Sequence, residues 1–279
     1  MASPVAEIAV IGGSGFYAFL EHTRQVTVHT PYGPPSSPVT IGTVGDRAVA
    51  FLARHGRSHE YPPHRVNYRA NLWALHHLGV RRVIGPCAVG SLQPGIAPGD
   101  FVILDQLVDR TTGRPDTFLD GPVVGHVSFA DPYCAELARA VAAARDGAPS
   151  LSGLRLHPAG TVVVIQGPRF STRAESKWFR AAGWEVVNMT QYPEAYLARE
   201  LGMCYCGLAL VTDYDTGLEG VEGIAPVTMQ QVFDTLAANV ARTQELLFEA
   251  IPRIPATPGC ACHSALDAGP LGTAGSTGE

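Results

Sequence analysis

The segment CYCGLALVTDYDTG, residues 204–217, begins with nine uncharged residues and ends in two carboxylates and a turn glycine. An uncharged run of this length is typical of a buried strand in a parallel or mixed sheet. Side chains alternate across a strand, so Asp213 and Asp215 would share one face at its carboxyl end. Open α/β sheets place their ligand sites at that edge. The pair is therefore a candidate site, although two acids in a solvated turn would give the same pattern.

Composition favours small-molecule chemistry over nucleic-acid or membrane binding. The chain has 279 residues, of which 46% are hydrophobic and 16% charged, and its formal net charge is −5. A nucleic-acid surface needs an excess of Lys and Arg to displace counterions. No apolar run approaches the length of a membrane span, and the first six residues lack the features of a secretory signal. We expect a cytoplasmic domain over residues 1–253 and a tail rich in Gly, Ala and Pro over residues 254–279.

The six cysteines do not resemble a secreted disulfide framework in a chain this long. Cys204 and Cys206 are interpreted as small core residues of the buried strand. The tail carries Cys260-Ala-Cys262-His263, for which a disulfide and a metal site are alternatives to an idle segment. Without a second group of ligands this is a weak zinc signal. The sequence therefore predicts no metal, and an idle tail is the preferred interpretation.

Residues 7–11, EIAVI, form a predicted strand that leads into the glycine loop at residues 12–15. Such a loop can bring backbone N–H groups and the Ser14 hydroxyl to an anion. Residues 13–18 also fit a dinucleotide fingerprint, which predicts an NAD-binding Rossmann protein. That fold requires an acidic residue about 20 positions on, and residues 22–45 contain neither Asp nor Glu. A non-catalytic or NAD-binding Rossmann protein is thus the second hypothesis, from a different functional class.

Basic side chains cluster after the predicted hairpin at residues 39–44 and 48–52. Arg54 and His55 follow its second strand directly, where a fixed guanidinium can clamp a phosphate through two hydrogen bonds. Arg57, Arg65 and Arg69 lie farther along and are interpreted as solvated surface.

The remaining pattern alternates strands with helices. We expect helices over residues 66–78, 131–144 and 227–251, and strands over residues 82–85, 101–107, 160–165 and 185–188. Loops rich in Gly, Ser, Thr or charge follow several of these strands. The pattern predicts a single α/β domain with a site along one edge of its sheet.

Seven motifs stand in order along the chain: IGGSG at 11–15, LARHG at 52–56, NYRAN at 67–71, DQLVDRT at 105–111, GPRFSTRAES at 167–176, NMT at 188–190 and TDYD at 212–215. Together they closely resemble the trimeric purine nucleoside phosphorylase family, and within it the S-methyl-5′-thioadenosine phosphorylases. The resemblance runs from about Ile8 to Pro252. It implies a nucleoside phosphorylase-type fold with a central mixed sheet flanked by helices.

The resemblance also implies an activity. The expected reaction is phosphorolysis of methylthioadenosine to adenine and 5-methylthioribose 1-phosphate, in purine and methionine salvage. Phosphate is then a co-substrate, no metal or organic cofactor is needed, and the enzyme is a homotrimer. Alternatives within the family are phosphorylases of 5′-deoxy- or 5′-halo-5′-deoxyadenosine and general purine nucleoside phosphorylases.

Site residues follow from the same resemblance. The expected phosphate ligands are Ser14, Arg54, His55, Cys87, Ala88 and Thr190, with Cys87 standing where the family commonly has threonine. The expected nucleoside contacts are Phe170, Ser171, Asn188, Met189, Met229, Val232 and, from a neighbouring subunit, His126. Asp213 and Asp215 are expected to donate a proton to purine N7 and to accept from the 6-amino group, in this order or the reverse. Burial and the neighbouring charge would keep one carboxyl of such a pair protonated at neutral pH.

Overall fold

One mixed sheet of eleven strands forms the centre of the molecule in the computed structural model, which describes residues 5–13, 20–121, 125–224 and 229–265. The strands are β1 Ile8–Gly12, β2 Glu21–Val26, β3 Val39–Val44, β4 Arg47–Ala53, β5 Arg82–Ser91, β6 Phe101–Ile103, β7 Gln106–Arg110, β8 Leu156–His157, β9 Thr161–Ile165, β10 Val186–Asn188 and β11 Cys204–Tyr214. The helices are α1 Tyr68–His77, α2 Ala135–Ala144, α3 Arg173–Ala181, α4 Gln191–Glu200 and α5 Met229–Arg253. The predicted α/β fold with a central mixed sheet is confirmed.

Strand β11 is buried at each of its first nine positions, as its uncharged sequence predicts. It runs parallel to β5 along the whole length of that strand. Alternate residues of β11 enter two hydrophobic clusters, one shared with α1 and α4 and the other with α2 and α5. The strand therefore separates two helical layers and joins their cores.

The edge of β5 opposite β11 is shared by two strands that approach from opposite ends. β1 pairs in parallel with residues 82–84, and β10 pairs antiparallel with Gly90 and Ser91. β1 covers the first part of this edge and β10 covers the last part. Between them, residues 85–89 have no strand neighbour on that edge within the described chain. Ala88 is accordingly the one exposed residue of β5, whose other positions are mostly buried. This opening is where a ligand can reach the sheet.

Several boundaries differ from the sequence expectations for identifiable reasons. The apolar stretch 101–107 forms two strands, because the chain leaves β11 after β6 and pairs with β9 as β7. The helix expected from Asp131 begins at Ala135, because Tyr133 enters the core and donates a hydrogen bond to Gln191. β2 was not predicted, since its sequence EHTRQV has no apolar face.

The segment after α5 packs against the domain at least as far as Ala265. Ile254, Cys262 and Ala265 are buried, and Arg47 and Arg82 donate hydrogen bonds to backbone carbonyls of this segment. A tail boundary at residue 254 stays a prediction, but residues 254–265 are not an unattached linker. None of the helices in the described part of the chain combines the length and apolar character that a membrane span requires.

A buried ion pair joins α4 to the sheet beneath the opening in β5. Arg54 donates from Nε and Nη2 to the two carboxylate oxygens of Glu194, both at 2.7 Å, and neither side chain is more than 3% exposed. The Tyr205 hydroxyl donates to Glu194 Oε1 at 2.5 Å. A Cβ at Gly85 would overlap that hydroxyl. Glycine is therefore needed where β5 passes the pair.

Glu194→Ala leaves the Arg54 guanidinium buried without its counter-charge. We expect the free energy of unfolding to fall by about 3–5 kcal/mol, because an uncompensated buried charge retains its full desolvation cost. The matched control is Glu219→Ala, which removes the partner of Arg173 from an exposed ion pair and should change the free energy of unfolding far less, because solvent screens exposed charges. Urea unfolding followed by circular dichroism measures both. Equal losses for the two variants would contradict the role assigned to the buried pair.

Gly85→Ala should displace the Tyr205 hydroxyl from Glu194. Forced overpacking together with a lost buried hydrogen bond predicts a destabilisation of at least about 2 kcal/mol. Gly95→Ala is the control, since its Cβ meets no atom within 4 Å. Thermal unfolding of the two variants would show the contrast, and an unchanged Tm for Gly85→Ala would refute the packing described.

Candidate active site

A cavity of about 400 Å³ lies over the opening in β5. Its walls come from the carboxyl ends of β1, β4, β9, β10 and β11, from the loops that follow them, and from α5. Its lining residues include Gly13, Arg54, His55, Cys87, Ala88, Phe170, Ser171, Asn188, Met189, Thr190, Asp213, Asp215, Leu236 and Val240. The position is the one that open α/β sheets favour for ligands.

Two carboxylates occupy one end of the cavity. The pairing of β11 with β5 shifts register between Val211 and Asp213, so Thr212 forms a bulge that redirects the strand end. The Thr212 hydroxyl donates to Asp213 Oδ1 at 2.6 Å. A Cβ at Gly90 would lie 3.5 Å from Asp213 Oδ2 and 3.4 Å from the Cβ of Asp215, so both acids flank this glycine. The expectation that the two acids share one side of the strand end agrees with this geometry.

Burial raises the pKa of both carboxyls above the ordinary range for aspartate. The negative charge of Asp213 raises the pKa of Asp215 further. Asp215 Oδ2, Ser171 Oγ and Asn188 Nδ2 are buried and have no hydrogen-bond partner among the described protein atoms. Buried polar atoms are normally satisfied, so these three atoms are free to recognise a polar ligand in the cavity.

Arg54 lines the cavity beside Pro86, four positions along β5 from the Gly90 that the two acids flank, but most of its donors are already occupied. Besides its two bonds to Glu194, Nη1 donates to the Pro86 carbonyl at 2.9 Å and Nη2 to the Ile11 carbonyl at 2.8 Å. A guanidinium has five N–H groups, so one Nη1–H remains for a ligand. Glu194 was missed by sequence reasoning, because an acid within a polar helix looks like a solvated residue.

His55 lies beside Arg54 and is neutral at physiological pH. Burial lowers its pKa to about 4, and the positive charge of Arg54 acts in the same direction. Its Nδ1 is 2.8 Å from the Tyr61 carbonyl oxygen. A carbonyl only accepts, so Nδ1 carries the hydrogen and Nε2 is left as an acceptor. The ring stacks on His59 with 4.5 Å between centroids, and His59 also lines the cavity.

Cys87, Ala88 and Thr190, three of the residues expected to bind phosphate, also line the cavity. Burial raises the pKa of the Cys87 thiol to about 11, so the thiol is protonated. Gln191 Nε2 lies 3.4 Å from Cys87 Sγ and 3.3 Å from the Gly85 carbonyl. Gln191 was not singled out from the sequence, since only the fold brings it beneath β5.

Apolar side chains line the cavity near its mouth. Phe170 is 77% exposed there, and Leu236 and Val240 face the cavity from α5. Val232 precedes Leu236 by one helical turn but is not among the described lining residues. Helical spacing from Val232 to positions 236 and 240 is the signal that could have identified both residues.

Three further expected residues lie outside this cavity or outside the described side chains. Ser14 lies outside the described residues, although its neighbour Gly13 lines the cavity. Met229 is the first residue of α5, and its side chain is likewise outside the description. His126 is exposed and does not line the cavity of its own chain.

The chain is similar to known nucleoside phosphorylases over most of its length. The S-methyl-5′-thioadenosine phosphorylase of Mycolicibacterium smegmatis is 56% identical over 254 residues, which cover 91% of this chain and 93% of the relative. The purine nucleoside phosphorylase of Streptomyces coelicolor is 53% identical over 280 residues, which cover 95% and 96% of the two chains. A crystal structure of a methylthioadenosine phosphorylase from an antarctic soil metagenomic library superposes with a TM-score of 0.88 at 42% identity, covering 95% of this chain and 92% of the other. The Phosphorylase superfamily model matches residues 7–252, and the chain belongs to that superfamily.

Proposed function

We propose that the protein cleaves the N-glycosidic bond of S-methyl-5′-thioadenosine with phosphate, giving adenine and 5-methylthioribose 1-phosphate. One observation carries the proposal. A single cavity joins hydrogen-bonding groups suited to an anion at Arg54 and His55 to the carboxyls of Asp213 and Asp215, whose pKa values are raised by burial. The reaction needs those two functions at opposite ends of one substrate.

The chemistry explains the arrangement. Breaking an N-glycosidic bond develops positive charge on the sugar and negative charge on the departing base. Phosphate beneath C1′ stabilises the sugar charge and then attacks it, while an acid at N7 neutralises the base. We assign proton donation to Asp213 and acceptance from the 6-amino group to Asp215. Ser171 and Asn188 have unpartnered polar atoms for the remaining polar edges of the nucleoside.

The proposed phosphate contacts are neutral apart from Arg54. The free Nη1–H of Arg54, the Ala88 backbone, the Thr190 hydroxyl and the glycine loop with Ser14 donate to phosphate oxygens. Neutral His55 accepts through Nε2, which suits a phosphate oxygen that carries a proton. Cys87 replaces a hydroxyl with a weaker S–H donor. No metal or organic cofactor enters this reaction, in which phosphate is the co-substrate.

The 5′ substituent is assigned to the apolar part of the cavity. Leu236 and Val240 present no polar side-chain atom there, while Phe170 is assigned to the purine ring and Met189 to the ribose. This lining favours a 5′-methylthio group over a 5′-hydroxyl, since an unsatisfied hydroxyl is costly among apolar side chains. Met229 and Val232 belong to the same proposed subsite. A 5′-deoxy- or 5′-halo-5′-deoxyadenosine is the second candidate substrate class, because the same lining accepts a methyl group or a halogen.

We further propose a cytoplasmic homotrimer that acts in purine and methionine salvage, with His126 completing the site of a neighbouring subunit. The exposure of His126 away from the cavity of its own chain supports that placement.

The proposal is tested by incubating the protein with methylthioadenosine with and without phosphate. We expect adenine release that depends on phosphate and yields a sugar 1-phosphate. The same assay on 5′-methylthio, 5′-deoxy, 5′-halo and 5′-hydroxy adenosines, compared by kcat/KM, ranks the 5′ groups. Release without phosphate, or no release together with tight NAD binding, would overturn the proposal.

Asp213→Asn tests whether this carboxyl protonates N7 and recognises the group at position 6 of the purine. An amide cannot protonate N7, so kcat/KM for methylthioadenosine should fall by about 10²- to 10⁴-fold. The amide N–H can donate to a 6-oxo oxygen, so the preference for methylthioadenosine over methylthioinosine should narrow or invert. Asp215→Asn is the matched comparison, and the larger loss of kcat identifies the acid. If the wild type cleaves both nucleosides equally, or neither variant changes the ratio, the purine does not lie at this carboxylate pair.

A further inference from the structure

Four cysteines converge at the end of β11 that lies away from the active site. Cys134, Cys204, Cys260 and Cys262 have Sγ atoms that all lie within 4.8 Å of one another. Three of them are buried, and Cys260 is half-buried. Cys204 begins β11 and Asp213 follows nine positions later, which separates cluster and carboxylates by roughly 30 Å along the strand. The cluster is therefore independent of the proposed reaction.

Three distant parts of the chain supply these thiols. Cys204 comes from the base of the sheet, Cys134 immediately precedes α2, and Cys260 and Cys262 come from the segment after α5. The sequence predicted no metal, because the pair Cys260 and Cys262 has no second group of ligands near it in the chain. The fold provides that group, since β11 and α2 bring Cys204 and Cys134 to it.

The spacing of the sulfur atoms suits one tetrahedral metal ion. Zinc bonds to sulfur at about 2.3 Å, which places the four sulfurs of a tetrahedral site roughly 3.8 Å apart. Cys204 Sγ and Cys260 Sγ are 3.3 Å apart, and the four cysteines carry no disulfide. Small side-chain rotations within the observed 4.8 Å limit are enough to reach the tetrahedral spacing.

The surroundings can stabilise the negative charge of thiolate ligands. Cys134 lies at the N-cap of α2, where the helix dipole favours an anion. Arg199 Nη1 is 3.5 Å from Cys262 Sγ. Arg82 pairs in register with Cys204 from the neighbouring strand, is 2% exposed, and has a buried Nε without a hydrogen-bond partner among the described atoms. Two guanidinium groups thus stand beside a site whose zinc-loaded form carries a net charge of about −2.

We infer that Cys134, Cys204, Cys260 and Cys262 bind one Zn²⁺ per chain. Four protein thiolates leave no open position for water or substrate, so the site is structural. It fastens the segment after α5 to the base of the sheet. Cys260 is the accessible ligand and provides the path by which the ion enters and a chelator removes it.

The first experiment measures metal and thiols on the full-length protein purified without chelator. We expect one zinc per chain by elemental analysis and by native mass spectrometry. Cys260, the half-buried thiol of the cluster, should resist a thiol reagent in the native protein and should react after EDTA is added. Replacing zinc by cobalt(II) should give the intense visible absorption and the thiolate-to-metal charge transfer of a tetrahedral sulfur site.

Variants locate the site. Cys260→Ser and Cys262→Ser should each lose most of the bound zinc, with a lower Tm that added zinc does not restore. Cys206→Ala is the matched control, because Cys206 is buried two positions along β11 from Cys204 and is not one of the four ligands. It should retain zinc at one per chain.

Three results would overturn the inference. They are a protein that binds no zinc even when the metal is supplied to the reduced chain, a mass deficit that corresponds to two disulfides among these cysteines, and the visible spectrum of an iron–sulfur cluster. The measurements on the unmodified protein decide these outcomes even if a serine variant fails to fold.

Discussion

The buried ion pair between Arg54 and Glu194 is the interaction on which the site depends. Two charges removed from water are tolerated only when their remaining donors and acceptors are satisfied, and here the carbonyls of Ile11 and Pro86 and the Tyr205 hydroxyl complete the set. These groups belong to β1, β5, β11, α4 and the residue that follows β4. The pair therefore fixes the relative positions of the elements that surround this part of the cavity.

This pairing changes how an anion would be recognised. A free guanidinium attracts phosphate by charge, whereas Arg54 is already neutralised by Glu194 and retains one N–H. His55 adds no charge, because burial holds its pKa at about 4. Recognition then rests on hydrogen-bond geometry from backbone, hydroxyl and imidazole groups, which depends on a rigid frame more than on net charge.

Features that depend on neighbouring residues in the chain could be predicted from the sequence. The uncharged run of β11, the carboxylates at its end and the position of Arg54 after a strand can all be seen in a short window of residues. Glu194, Gln191 and the grouping of four cysteines could not be predicted in this way, because their roles arise from contacts between segments far apart in the chain. Glu194 and Gln191 lie on a helix of mixed polarity, where burial is decided by the partner strand. The unpaired stretch of β5 likewise follows from the order of strands and not from the sequence of β5.

The two ends of β11 affect the stability of the fold in opposite directions. At the carboxyl end the fold raises the pKa of Asp213 and Asp215, so ionisation of these groups is less favourable in the folded chain than in the unfolded chain. As pH rises through the unfolded pKa toward the folded one, this difference removes stability, and the loss is complete above the folded pKa. In the proposed reaction, a protonated acid beside the departing purine anion would pass its proton to N7, and the carboxylate would then accept a hydrogen bond from that N–H. At the other end, the apolar packing of the strand and the cluster of thiols anchor β11 between two helical layers. A strand anchored in this way can hold the two carboxyls in place at its other end although their burial is unfavourable.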